Sequence, residues 1–320
     1  MRHAFLTAAL ASACIAGSAP ADAQQFFRVG SGLGGTYAVY GAKLAELVNK
    51  NIPGVHASTL TGGGEQNLVR IQRGEAEISI IYTFNALQVY TGKGELKVQA
   101  PDLRHVMSLY GSYHTPMVHK DSPVKSLADV LKYKSRVWMG SRASVFWALN
   151  EAALNAHNVT LDAIPKAGGI IDTMAFANQN QAFQDRKIDV GFYSGPAPYG
   201  LMMELDRNPG FRIPNFDDAA AQRYVELLPG TGMAVVKGGT YQSEPNDARV
   251  PYVFNQMVSG TKVPEDLVYK VTKLMNEHAK DFHGLFPGSE EIQSKTALDY
   301  NKLPIHPGAE RYYREIGLLR

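Results

Sequence analysis

Cysteine is all but missing from this chain of 320 residues, with Cys14 the single example. That residue falls within Met1–Ala23, which has the parts of a cleavable secretory leader. Arg2 supplies the positive end and Ala4–Ile15 the apolar stretch, and Ala21-Asp22-Ala23 has the small-x-small form of a cleavage site. Ala11-Ser12-Ala13 is a poor approach to a lipidated cysteine, so cleavage before Gln24 is the expectation. A mature chain without cysteine excludes disulfides, thiolate metal sites and cysteine nucleophiles together. Beyond the leader no apolar run approaches the roughly 20 residues of a transmembrane helix. Net charge is also small, with 32 Lys and Arg against 30 Asp and Glu, which leaves no electrostatic footprint for nucleic acid. The expected product is soluble, exported and periplasmic. About 300 residues at 45% hydrophobic content exceed the usual size of one core and predict two domains.

Glycine is placed where it counts. Phe26, Phe27 and Val29 read as a buried strand that breaks into Gly30-Ser31-Gly32-Leu33-Gly34-Gly35, and a helix opens at Thr36. Such a bend turns backbone N–H groups outward and places a helix N-terminus behind them, a setting that favours an anion. The helix carries Tyr37, Tyr40, Leu44, Leu47 and Val48 at helical spacing, and Pro53-Gly54 ends it. A second strand, Val55–Leu60, leads through Gly62-Gly63-Gly64 into a helix over Asn67–Arg73, then a third strand, Ile78–Tyr82. This rhythm is that of a parallel α/β sheet. Both glycine turns follow strands, so both belong at the carboxyl edge where open α/β sheets bind ligands.

Val106–Tyr110 and Met117–His119 read as two extended segments separated by Gly111–Pro116. The rhythm then restarts with a helix over Ser126–Lys132, a strand Arg136–Met139, and Gly140-Ser141-Arg142-Ala143-Ser144 opening a helix with Leu149, Ala152, Ala153 and Leu154. Ile188–Tyr193 reads as a strand ending at Ser194-Gly195-Pro196, and Val263-Pro264-Glu265-Asp266 begins a helix. Two α/β units with facing turns imply two lobes around a cleft.

The obvious enzyme signatures fail one by one. Gly30, Gly32 and Gly35 satisfy the dinucleotide fingerprint, but the second strand carries no acidic residue at its end to hold a ribose. No nucleophile elbow is present, since Gly191-Phe192-Tyr193-Ser194-Gly195 puts its serine one place late. The histidines lack metal-ligand spacing, and His105, His114 and His119 are expected at the surface or packed at a hinge. No metal and no cofactor are expected. Among 16 tyrosines, Tyr37, Tyr82, Tyr110, Tyr113 and Tyr193 sit beside turns or strand ends, where one edge of the ring is dry and the hydroxyl wet. Arg142, inside the second mouth, has the planar fork that matches a carboxylate.

Gly34-Gly35-Thr36-Tyr37, the turn Thr61-Gly62-Gly63-Gly64 with Asn67, and the tail Leu303-Pro304-Ile305-His306-Pro307-Gly308-Ala309 with Tyr312-Tyr313-Arg314-Glu315-Ile316-Gly317 resemble the TAXI family, across essentially the whole mature chain. These are the extracytoplasmic solute receptors of one class of TRAP transporters. The resemblance implies a type II periplasmic-binding-protein fold, α/β with two lobes closing on a small carboxylate or amino-acid-like ligand. It also implies delivery to an ion-driven TRAP membrane permease by a monomeric receptor that catalyses no reaction. Lobe 1 is expected over residues 24–112 plus 253–320 and lobe 2 over 113–252.

By the same resemblance Gly34, Gly35, Thr36 and Tyr37 occupy the first ligand loop, and Gly140, Ser141 and Ser144 the second-lobe turn. Ser31, Gly63, Tyr82, Arg142 and Tyr193 complete the expected ligand-binding set. Relatives usually read Ser-Gly-Thr where this chain has Ser144-Val145-Phe146, and Gln-x-Asp where it has Tyr82-Thr83-Phe84. Both departures favour a less polar or aromatic-packed acid over an amino acid. Two other readings stay open: a periplasmic ligand sensor serving a signalling receptor, and a secreted enzyme on the same fold.

Overall fold

A computed structural model describes residues 25–32, 35–62, 64–93, 97–142 and 144–320; the expected leader, Gly34 and Gly63 lie outside them. The chain runs β1 (Gln25–Ser31), α1 (Gly35–Asn51), β2 (Val55–Thr61), α2 (Gly64–Arg73), β3 (Ile78–Tyr82), α3 (Thr83–Thr91) and β4 (Leu103–His119). There follow β5 (Arg136–Trp138), α4 (Val145–Ala156), α5 (Ala163–Lys166), β6 (Ile170–Asp172), α6 (Gln179–Gln184), β7 (Val190–Gly195) and α7 (Gly200–Arg207). The chain closes with β8 (Phe211–Arg212), α8 (Asp218–Leu227), β9 (Thr231–Val236), β10 (Ala248–Gly260), α9 (Glu265–Glu277) and α10 (Pro307–Glu315). One sheet has the order β2-β1-β3-β10-β4-β7-β5-β6, with β8 on β4 and β9 on β10.

The first unit is parallel, as the strand–turn–helix rhythm predicts: β1 pairs in parallel with β2 and with β3. Two glycines let its layers approach. A Cβ on Gly30 would lie 2.9 Å from Asn67 Cβ, and one on Gly41, inside α1, 2.7 Å from Ser31 Cβ. A helix that near its sheet has no space for a side chain at the contact. The apolar stripe of α1, Tyr40, Leu44, Leu47 and Val48, is buried against Phe27, Val29, Met257 and α9.

Strands β4 and β10 join the units. The near part of β10 pairs with β3 (Asn255 to Ser259) and its far part with β9 (Ala248 to Val253). β4 pairs with β10 from Leu103 to Tyr113 and with β7 from Tyr113 to Val118. The expected break at Gly111–Pro116 does not occur; β4 is continuous over 17 residues. Gly111 is required because the ring of Tyr252 stands 2.0 Å from where its Cβ would be. Pro116 lies opposite Phe192, whose N–H and C=O are both engaged by the Gln179 side chain (3.0 Å each). Those groups point away from β4, so the proline occupies a non-hydrogen-bonded position where its missing donor is not needed. The expected helix at Ser126–Lys132 shrinks to a 3₁₀ turn, Leu127–Val130, closed by a capping box between Ser126 and Asp129.

Apolar side chains gather into two main cores. One holds Phe27, Tyr40, Ile80, Met107, Met257, Val271 and Tyr313, the other Met117, Trp138, Leu149, Phe183, Phe192 and Val253. A smaller cluster (Leu68, Ile81, Leu103, Val258) backs the first. Among the described residues no helix is long and apolar enough to cross a membrane, and no group of His, Cys, Asp or Glu could hold a metal ion.

Candidate ligand site between the two cores

At the first mouth the polar groups are already engaged with one another. Ser31 is buried at the end of β1, and its carbonyl accepts from Gly62 N (3.2 Å) and Asn67 Nδ2 (3.1 Å). Arg70 Nη1 donates to Thr61 O (2.8 Å) and Asn67 Oδ1 (2.9 Å), so Asn67 and Arg70 brace the two glycine turns against each other. Thr36 Oγ1 accepts from Tyr110 Oη (3.1 Å). Tyr37 donates to Asn255 Oδ1 (2.6 Å), and Asn255 Nδ2 donates to Tyr110 O (3.0 Å), which ties α1 to both long strands. Tyr37 also meets Tyr82 edge-on at 6.1 Å. Burial pushes the Tyr82 phenol up to about 12, so at neutral pH it donates a hydrogen bond and carries no charge.

The second mouth is less committed. Ser144 caps α4 in position only: its hydroxyl turns back to Ser141 O (2.7 Å) and caps no helix N–H. The first N–H groups of α4 therefore lack the side-chain partner that usually satisfies them. Beside them Arg142 is exposed, 4.7 Å over the Trp147 ring, and makes no ion pair among the described residues. A cavity of about 180 Å³ opens here, lined from the first unit by Glu65, Asn85, Gln88 and Lys93 and from the second by Arg142, Ser144, Val145, Ala148 and Glu151. The residues from α4 recur along one helical face, and the sequence reading of this helix names Leu149, Ala152, Ala153 and Leu154 without Ala148 or Glu151.

Of the expected ligand residues, the structure brings Arg142 and Ser144 to this cavity, with Ser141 touching Ser144. Tyr193 is buried in the second core and donates to Asn180 Oδ1 (2.6 Å). Phe84 is buried where the units meet, packed into the second core and stacked on Tyr82 at 5.9 Å. It is a wall of the junction and does not line the cavity. Phe146 likewise stacks on Phe176 (4.9 Å), and the apolar lining of the cavity comes instead from Val145, Ala148, Ala152, Leu227 and Leu228.

The expectation that His105, His114 and His119 lie at the surface or a hinge is corrected in part: all three are buried along β4. Burial lowers each imidazole's proton affinity, His114 to about 3. Its Nδ1 lies 2.7 Å from Ser194 Oγ, the contact a hydrolase would use. An imidazole so weakly basic is a poor proton acceptor at neutral pH.

Two α/β units that share long antiparallel strands, with a polar cavity between them, define a two-lobe α/β fold. The chain belongs to the NMT1-like family, whose sequence profile it matches over residues 30–317. Its backbone superposes on XAC2383 of Xanthomonas citri bound to chloride ion with a TM-score of 0.50, at 13% identity, over 92% of this chain and 96% of that one. The form of that protein bound to ATP gives 0.50 at 12% identity, over 92% and 96%. The periplasmic aliphatic sulphonate binding protein SsuA from Escherichia coli gives 0.48 at 15% identity, over 92% and 88%. At such identities the two superpositions at 0.50 speak for a shared fold and not for a shared ligand.

Proposed function

We propose that this chain is a periplasmic solute receptor that binds a small organic anion between its lobes and delivers it to an ion-driven, TRAP-type membrane permease. The observation that carries the reading is the uncapped N-terminus of α4 beside Arg142, facing Glu65 and Asn85 of the other unit across one cavity. An anion at a helix N-terminus gains about 0.3–1 kcal/mol, and up to about 2 when partly buried. Charge-assisted bonds from a guanidinium add to it. A ligand that touches both units stabilises the closed arrangement only through contacts the open one lacks. The two cores support lobes over residues 24–112 plus 253–320 and 113–252, hinged on β4 and β10. Resemblance to the TAXI family supports the permease partner and the periplasmic address.

The test is a thermal-shift screen of the purified mature protein against mono- and dicarboxylates, amino acids and aromatic acids. Ligand at 100 times its dissociation constant stabilises by about 2.7 kcal/mol, a readable shift. Turnover of any acid or ester in the same panel would replace the receptor with an enzyme.

A further inference from the structure

We propose a second ligand site on the shared strands, a cavity walled by Tyr252, Phe254, Tyr300 and the Glu291 carboxylate, which takes a small organic cation carrying a flat ring. It has no lining residue in common with the cavity at Arg142 and rests on no assumption about what that cavity binds.

The cavity holds about 340 Å³, within the roughly 300–1,000 Å³ usual for small-molecule sites. One side comes from β4 and β10, with Gly111, Tyr252 and Phe254, at the place where β10 changes partner from β9 to β3. The other side is the segment between α9 and α10, which brings Glu291, Asp299 and Tyr300. Phe254 meets Tyr252 edge-on (4.9 Å, 82°) and lies parallel to Tyr300 (3.4 Å, 10°), so the three rings form a continuous aromatic wall. Tyr300 is the least expected of them. Its φ of 57° is left-handed backbone, which a ring-bearing side chain rarely adopts. The residue is nevertheless 51% exposed, so burial does not account for its placement. A costly conformation kept at an open position points to a use for the ring there.

Charge selects the ligand. Glu291 is fixed beside the rings: Gly111 N donates to Oε2 (2.9 Å), and the Tyr252 hydroxyl donates between the two carboxylate oxygens, 2.9 Å from each. A carboxylate offers about four lone-pair sites, so two donors leave capacity for a third. Asp299 adds a second acid to the lining, against Lys295 as its one base. Aromatic faces are electron-rich and attract a cation on their own account. Rings and carboxylate therefore favour the same sign of charge. An anion is repelled by both, and a neutral ring gains the stacking alone.

The experiment titrates the full mature protein with benzylammonium and with benzyl alcohol, one ring with and without the charge, followed by NMR. Benzylammonium should bind saturably and more tightly than the alcohol. Tyr300→Ala should weaken benzylammonium roughly threefold to tenfold, whereas Tyr300→Phe, which keeps the ring, should bind it as wild type does. Glu291→Gln should remove most of the advantage of the cation over the alcohol. Absence of saturable benzylammonium binding overturns the proposal, and so does equal affinity for the two probes. Binding that neither Tyr300→Ala nor Glu291→Gln weakens lies elsewhere on the molecule and overturns the site. If Tyr300→Ala does not fold, Glu291→Gln decides alone.

Discussion

The two mouths of this fold are built from the same parts, a strand, a small-residue turn and a helix, yet they are finished differently. At the first, Ser31, Thr36, Tyr37, Asn67 and Arg70 satisfy one another and reach Asn255 and Tyr110 on the shared strands. At the second, α4 starts without a cap and Arg142 rests on a tryptophan face. A group that already has its partners gives up one contact to make another, whereas a helix end without a side-chain cap and a guanidinium with no ion pair among the described residues gain more. The first mouth therefore reads as framework and the second as the place where binding energy is available.

Substitutions should break that contrast in a definite order. Gly41→Val drives a branched side chain into Ser31 and should cost about 3 kcal/mol by overpacking, read as a lowered denaturation midpoint. Acid comes next. His114 titrates near 3 in the folded chain against about 6.5 when unfolded, so between those values the unfolded state binds the extra proton and stability falls as pH falls. From pH 7.5 to pH 5 that loss is about 2 kcal/mol, and His114→Asn should flatten the pH slope by the same amount in urea melts. Tyr37→Phe leaves the buried Asn255 Oδ1 without its donor and should cost about 1.5 kcal/mol, with ligand affinity falling only as far as stability does. Arg142→Ala should do the reverse. Its stability should stay within about 0.5 kcal/mol of wild type, while affinity for any bound carboxylate drops about tenfold by calorimetry. Equal behaviour of Tyr37→Phe and Arg142→Ala would erase the distinction between the mouths.

Much of the first unit was legible because its signals are local. Glycine bends and apolar periodicity place β3 at its observed ends, Ile78 and Tyr82, and begin α1 within one residue. β4 was misread as two segments because glycine and proline usually interrupt a strand. What holds it together is non-local: the ring of Tyr252 over Gly111, and Gln179 drawing the bonds of Phe192 away from Pro116. The site divides in the same way. Arg142 and Ser144 stand in a recognisable turn, so sequence finds them. Glu65, Asn85 and Lys93 reach the cavity only through packing of α2 and α3 against the second unit. Phe84 shows the opposite error, an aromatic beside a candidate site that tertiary packing buries in the junction.

The two long strands also govern how the molecule is made. β3 has β1 on one side, and on the other it waits for β10, which is synthesised after every element of the second unit. A fragment ending at residue 112 would therefore expose the flank of β3 as an open edge, and edges of that kind recruit other chains. The C-terminal helices α9 and α10, which complete the first core, arrive later still. The second core draws on residues from Phe84 to Val253, whereas the first spans Phe27 to Tyr313, so the first core is complete only once the C-terminal helices have been made.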